Sequence, residues 1–298
     1  MATYRGRFAP SPTGPLHFGS LVAALGSWLD ARHHRGSWLV RIEDIDPPRE
    51  RAGAADTQLR ALAALGLYAD EAVLRQSTRR EAYEAALDTL RASGQVFECR
   101  CSRSDLVPTA GLHFACVTRP SGKQVALRFR PLAAVVSFED RRHGSQTQSV
   151  PDTVGDVVLR RADGQHAYQL AVVVDDAAQG VTDVVRGADL LTSTTRQIAL
   201  QQALHLPTPR YLHLPLVLDS QGRKLSKSLA AHPVDGEQPV AALCAAWRFL
   251  FPELVTPAAN QPADWLLRAV DAYCPAALDR RDRRVAESIV AANTVSTR

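Results

Sequence analysis

The hydrophobic pattern changes period along the chain, and each change marks an element. Residues 4–9 read as a short buried strand, closed by the turn residues of Pro10-Ser-Pro-Thr-Gly-Pro15. Leu21, Val22, Leu25, Trp28 and Leu29 then recur at helical spacing. Residues 38–42 predict a second strand. Residues 52–65 and 80–90 predict two helices, the latter stopped by Ser93-Gly94. Strand and helix thus alternate over residues 1–94, which predicts an α/β domain on a parallel sheet.

The rhythm breaks at Gln95. Residues 124–129 and 134–138 look like antiparallel strands, and residues 143–151 are polar and loop-like. Residues 95–155 therefore read as an insertion. The α/β pattern resumes at Asp156, with apolar runs at 157–159, 170–174 and 181–185. The run at 170–174 stops at Asp175-Asp176. Residues 192–204 predict a helix with Thr192 as its N-cap. Residues 214–218 predict a strand running into the turn Asp219-Ser-Gln-Gly222. From 231 onward the pattern is helical, at 239–251 and 263–273, with a loosely held tail from about residue 286. The expected division is 1–94 and 156–230 for the two halves of the α/β domain, 95–155 for the insertion and 231–298 for a helical C-terminal region. No internal repeat is visible.

Composition narrows the class. At 298 residues the chain has room for about two domains. Its hydrophobic fraction of 46% and charged fraction of 22% suit a globular protein. No apolar run approaches the ~18 residues of a membrane span, and the N-terminus has no apolar signal region. Five cysteines, two in a Cys-x-Cys, argue against a disulfide framework and suit a reducing, cytoplasmic setting. The net charge of +4 permits a nucleic-acid partner without demanding one. Only three residues are lysines against 32 arginines, yet two of the three fall together in Lys224-Leu-Ser-Lys-Ser228. Arginine and lysine differ in shape and donor geometry, so this pair points to a task arginine cannot perform.

Two stretches suit phosphate. Pro15-Leu-His17-Phe-Gly19-Ser20 lies between the first strand and the first helix. Backbone N–H groups and the helix dipole there favour an anion, and Gly19 allows close approach. The lysine pair could neutralise charge on a transferring phosphoryl group. Each alone has an ordinary explanation, a shaped turn and a solvated basic loop. Together, His17-x-Gly19-Ser20 and the lysine loop about 200 residues later resemble the two signatures of class I aminoacyl-tRNA synthetases. Arg7-Phe-Ala-Pro-Ser-Pro12, Arg41-Ile-Glu-Asp-Ile-Asp46 and Val185-Arg-Gly-Ala-Asp189 resemble glutamyl-tRNA synthetases in particular. Little sequence follows the lysine loop where full-length members carry an anticodon-binding domain. With Leu16-His-Phe-Gly-Ser20, Asp44-Ile-Asp-Pro-Pro-Arg-Glu50 and His213-Leu-Pro-Leu216, the resemblance is to the short glutamyl-queuosine tRNA(Asp) synthetase family.

That resemblance implies a Rossmann-like catalytic domain with a zinc-binding insertion. It implies activation of glutamate with ATP and Mg²⁺ to glutamyl-adenylate, without tRNA, and transfer to queuosine at the wobble position of tRNA(Asp). Arg7 matches the glutamate-binding arginine, with Phe8, Ala9, Pro10 and Ser11 beside it. Glu43 matches the carboxylate that receives the α-amino group, and Tyr168 and Arg186 match further glutamate contacts. His17, Gly19, Ser20, Lys224 and Lys227 match the ATP site, with Lys227, Lys224 and His17 catalytic. Ser20 stands where the signature usually has a second histidine, which weakens any role for that position. An internal salt bridge for Arg7 and Glu43, and core packing for Tyr168, are the plain alternatives. Rival functions are a truncated synthetase charging the tRNA 3′ end, another nucleotidyltransferase acting on a small acid, and a non-catalytic binding protein.

Cys99-x-Cys101 and His113-x-x-Cys116 offer four soft ligands within 18 residues. Zinc prefers four such ligands in a tetrahedron, so one structural zinc is expected. His113 stands where the family commonly has a tyrosine, and His143 is a second histidine candidate. Cys244 and Cys274 fall in helical, apolar context and read as packing residues. Arg79, Arg80, Arg280, Arg281, Arg283 and Arg284 are candidates for RNA contact, though solvated faces explain most such arginines. A monomer is expected.

Overall fold

The structure is a computed structural model that describes residues 3–102, 104–116, 125–132, 135–218, 234, 237–279 and 282–284. In chain order the first elements are β1 (Arg5–Phe8), α1 (Phe18–His33), β2 (Ser37–Ile42), α2 (Ala54–Ala64), β3 (Leu74–Arg75) and α3 (Arg80–Ala92). Next come β4 (Val96–Cys99), β5 (Ala126–Phe129), β6 (Val135–Asp140), β7 (Gly144–Ser149), α4 (Val150–Thr153) and β8 (Val157–Arg160). They are followed by α5 (Tyr168–Ala178), β9 (Asp183–Gly187), α6 (Leu191–Ala203), β10 (Arg210–Leu214) and β11 (Val217–Leu218). The last are α7 (Pro239–Leu250), α8 (Pro262–Ala272) and β12 (Arg283–Arg284).

β1 pairs in parallel with β2, and β2 with β3; β10 pairs in parallel with β9 and β6. The two halves meet where the Thr182 N–H donates to the Arg5 carbonyl at 2.9 Å, which sets β9 beside β1. The expected parallel α/β sheet is therefore present. Side chains alternate across it with period two. Trp38, Val40, Val185, Leu212 and Leu214 join the core under α1, α7 and α8. Leu39, Val184 and Tyr211 join the second core, under α3, α5 and α6. Both faces are covered, as a parallel sheet requires. The polar residues Arg7, Arg41, Arg186 and His213 occupy the same strand parity as the second core. A continuous apolar layer is thus replaced by charge near the C-terminal ends of the strands.

Strand pairing crosses residue 155. β8 pairs antiparallel with β5, which pairs antiparallel with β4, while β6 and β7 form a hairpin attached to β10. Several expectations are corrected. The apolar run at 170–174 is helix α5, with Leu170, Ala171, Val172 and Val173 buried; a run this short does not by itself tell helix from strand. Residues 143–151 are not a loop. Their polar Ser, Thr and Gln side chains form β7, the edge strand of the hairpin, with Val135 opposite Ser149 and Asp140 opposite Gly144. Pro215 lacks an N–H and divides the expected 214–218 strand, so β10 ends at Leu214 and β11 starts at Val217. Thr192 lies exposed inside the first turn of α6 and does not cap it. The lysine loop and the tail from 286 fall outside the described residues.

One buried carboxylate ties the two ends together. Asp30 on α1 accepts from Tyr4 Oη at 2.6 Å, Tyr273 Oη at 2.9 Å, and both terminal nitrogens of Arg141 at 2.6 and 2.7 Å. It is fully buried. Burial alone would raise its pKa, but the Arg141 charge and these donors hold it below the ordinary range.

Candidate active site and metal centre

Two cavities open at the C-terminal ends of β1 and β9, the switch point at which open α/β sheets bind ligands. One holds about 290 Å³ and the other about 620 Å³. They share a wall of Phe8, Ala9, Ser11, Ala23, Gly187 and Asp189.

The smaller cavity sits over the start of α1 and is lined by His17, Gly19 and Ser20. His17 is the N-cap, and its Nδ1 accepts from the Ser20 N–H at 3.1 Å. A ring nitrogen that accepts carries no proton, so this imidazole is neutral with its proton on Nε2. A Cβ at Gly19 would stand 3.2 Å from the His17 ring, so a bare glycine keeps ring and backbone together. Ser20 thus contributes its amide to the cap. Pro10 is buried, and its carbonyl accepts from the Glu43 N–H at 3.0 Å, fixing the turn against β2. Lys224 and Lys227 lie outside the described residues, but Leu216 and Val217, a few residues before them in sequence, line this cavity.

The larger cavity gathers Arg7, Glu43, Tyr168 and Arg186. The salt-bridge alternative is partly realised. Arg7 Nε and Nη2 donate to the two carboxylate oxygens of Asp176 at 3.2 and 3.4 Å. Arg41 Nη1 donates to Asp176 Oδ1 at 2.7 Å, and Arg41 Nη2 to Glu43 Oε1 at 3.3 Å. Asp176 therefore holds the Nε–Nη2 edge of Arg7. Burial alone would lift the Asp176 carboxyl, but the charges of Arg7 and Arg41 outweigh it and hold it below the usual range. Burial wins at Glu43, whose pKa is raised despite the same two arginines. Tyr168 begins α5, and its hydroxyl pKa is raised by burial and then by the Glu43 charge.

Arg186 lies on β9, 5% exposed. Its Nε donates to His213 Nε2 at 3.1 Å and its Nη2 to Thr194 Oγ1 at 2.9 Å. His213 Nδ1 in turn meets Asp140 Oδ2 at 2.7 Å. Sequence reading missed Arg41, Asp176, Asp140, Thr194 and His213 as parts of the site. Asp176 was visible only as the stop of an apolar run, and Arg41 and His213 only as letters of resembling phrases.

The four soft ligands do converge. The ligand atoms of Cys99, Cys101, His113 and Cys116 lie within 4.8 Å of one another. Tetrahedral zinc at ~2.3 Å from sulfur and ~2.0 Å from nitrogen would set sulfur and nitrogen roughly 3.5 Å apart. Cys99 Sγ and Cys116 Sγ lie 3.3 and 3.6 Å from His113 Nε2. The donor set fits a closed tetrahedral ion. His113 Nδ1 meets Asp156 Oδ2 at 2.7 Å, and Arg130 grips both oxygens of Asp156 at 2.9 Å. That carboxylate fixes the ring with Nε2 toward the sulfurs. His143 is not part of this cluster; its Nε2 is 2.8 Å from Arg142 Nη1 at the β6–β7 turn. Cys244 packs as expected and meets Trp265 Nε1 at 3.2 Å, whereas Cys274 is exposed, since α8 ends at Ala272 before it can be covered. Arg79 is engaged, its Nε donating to buried Asp175 at 3.0 Å, while Arg80 is exposed. Arg280 and Arg281 lie outside the described residues, as do the side chains of Arg283 and Arg284.

A parallel sheet with a helix-start cavity beside a charged one suits a class I synthetase catalytic domain. Residues 3–110 and 116–238 match the family described as tRNA synthetases class I (E and Q), catalytic domain. The fold agrees with a glutamate tRNA ligase from Elizabethkingia meningosepticum. The TM-score is 0.79 at 24% identity, covering 97% of this chain and 68% of that one. Over 279 residues the chain is 61% identical to a glutamyl-Q tRNA(Asp) synthetase of Xanthomonas campestris pv. campestris, covering 93% of this chain and 94% of that protein. A protein of the same name from Burkholderia mallei is 55% identical over 264 residues, covering 84% of this chain and 89% of that protein. The chain belongs to the glutamyl-Q tRNA(Asp) synthetase family.

Proposed function

We propose that this chain activates glutamate with ATP and Mg²⁺ to glutamyl-adenylate and passes the glutamyl group to queuosine at the wobble position of tRNA(Asp). The observation that carries the reading is the shared wall of the two cavities. A carboxylate held by Arg7 and Arg186, with its amine on Glu43, would face an α-phosphate held over His17 and Gly19. A carboxylate oxygen attacks the α-phosphorus as the bond to pyrophosphate breaks. A queuosine ring hydroxyl then attacks the activated carbonyl, its proton leaves to solvent, and AMP departs. Catalysis here is positioning and charge stabilisation, with Lys227, assisted by Lys224, neutralising charge on the phosphates. The four-ligand cluster holds one structural zinc, supported by its three sulfurs, one imidazole and the Asp156 anchor behind it. Residues 95–155 serve as the zinc-bearing insertion, and α7 and α8 belong to a helical C-terminal region. Among the described residues no helix is long and apolar enough to cross a membrane. The enzyme works as a cytoplasmic monomer.

The test is transfer of labelled glutamate, with ATP, to tRNA containing queuosine and to tRNA from cells unable to make it. Label confined to the first pool supports the proposal. Equal label in both would replace it with 3′ charging. Label in neither, with no glutamate-dependent pyrophosphate exchange, would leave a binding protein.

A further inference from the structure

Arg186 is held from behind by residues that do not reach the cavity. Asp140 ends β6, and four donors converge on it. The N–H groups of Arg142 and His143 donate to Oδ1 at 3.1 and 2.9 Å; the N–H and Nδ1 of His213 meet Oδ2 at 3.1 and 2.7 Å. A carboxylate so surrounded by donors is ionised and can only accept. His213 Nδ1 must therefore carry a proton. Arg186 Nε also donates, so the His213 Nε2 it meets at 3.1 Å must be bare. The proton count leaves one arrangement: a neutral Nδ1–H imidazole. Tyr211 closes the pocket. Its ring lies nearly parallel to that of His213, at 12° and 6.1 Å between centroids, and Arg186 stacks over it at 5.5 Å. Thr194 fixes the other side of the guanidinium at 2.9 Å. His213 and Thr194 are fully buried, and Asp140 is 2% exposed.

We infer that His213 is a positioning residue for the amino-acid site: clamped by Asp140, its imidazole accepts from Arg186 Nε and turns the remaining edge of that guanidinium toward the ligand. A protonated ring would place a donor and a charge against Arg186 and push it away. Burial first, and then the Arg186 charge, oppose that protonation and outweigh the Asp140 hydrogen bond and charge that favour it, lowering the His213 pKa to about 4. The inference rests on the glutamate reading of the larger cavity.

Two substitutions separate positioning from packing. The amide oxygen of His213→Gln reaches roughly where Nε2 stood and can accept from Arg186. The shorter His213→Asn reaches only the Nδ1 position and can satisfy Asp140 alone. In glutamate-dependent pyrophosphate exchange, His213→Asn is expected to raise the KM for glutamate about 10–100-fold, the range for losing a hydrogen bond to a charged group. His213→Gln should raise it less than about threefold, and the KM for ATP should stay within about twofold in both. A merely structural histidine predicts equal effects of the two variants, spread over both substrates, and that result overturns the inference. Absence of glutamate-dependent exchange in the unmodified protein would instead remove the reading of the cavity. If neither variant folds, imidazole ¹⁵N resonances of the unmodified protein decide. A proton on Nδ1 and a bare Nε2 at neutral pH support the clamp, and an Nε2–H overturns it.

Discussion

Replacing Gly155 by alanine should damage the metal centre from behind, without touching a ligand. Gly155 has φ of +65°, and a Cβ built there would stand 2.5 Å from the His113 carbonyl oxygen. The left-handed conformation costs alanine roughly 1–2 kcal/mol. The clash is with backbone, so no side chain can swing aside. Relief must lengthen the bond from the Asp156 N–H to the His113 carbonyl, now 2.7 Å, at a cost of about 1 kcal/mol. The total is about 2–3 kcal/mol of stability. Displacing Asp156 also loosens its 2.7 Å hold on His113 Nδ1. Loss of such an outer partner typically weakens metal binding by about 10–100-fold. Competition for zinc against a chromogenic chelator, with denaturant unfolding alongside, measures both. Gly164→Ala is the control, because Gly164 has φ of +87° and no atom within 4 Å of the built Cβ. It should show the conformational cost alone and unchanged zinc affinity. If Gly155→Ala matched Gly164→Ala in both readouts, the steric argument would be wrong.

Stability should fall between pH 6.5 and 4 partly through His213. Its folded pKa of about 4 lies below the ordinary value of 6.5, so the unfolded chain binds the extra proton first and stability is lost as pH drops. The ring faces Asp140 and His143 on the hairpin and Arg186 on β9, and His213→Gln should flatten the denaturant midpoint across that window; an unchanged slope would contradict the assignment. Arg41→Met would leave buried Glu43 without its ion-pair partner and Asp176 with Arg7 alone. A loss of about 3–5 kcal/mol is expected in denaturant unfolding, and one under about 1 kcal/mol would mean water enters the network. Lys227→Ala should cut pyrophosphate exchange by orders of magnitude with an unchanged melting temperature; near-normal exchange would remove Lys227 from the mechanism.

The first half of the sheet was legible because apolar positions recur at helical spacing over long segments between short strands there. Leu21, Leu25 and Leu29 face one core, and their spacing announced α1. Legibility failed where an apolar run was short or a strand was polar on both faces. The apolar run of α5 is too short to tell helix from strand; β7 is polar on both faces and reads as a loop. The candidate metal cluster was readable because four soft side chains sit close in sequence. The charge network under the larger cavity was not. Arg7, Arg41 and Asp176 meet across 135 and 169 residues of sequence, and only the register of β1 against β2 and the docking of α5 bring them together.

Asp30 imposes an order on synthesis. Its partners lie 26, 111 and 243 residues away along the chain, the last being Tyr273. As the polypeptide leaves the ribosome, α1 emerges with this carboxylate long before Arg141 and longer still before Tyr273. At about 5–20 residues per second, the wait between those two is on the order of ten seconds. Through that interval the carboxylate can still be hydrated, and α1 lacks the α7 and α8 surface that covers it in the finished protein. The nascent chain therefore reaches its closed form only near the end of translation, when Tyr273 arrives to seal the charge.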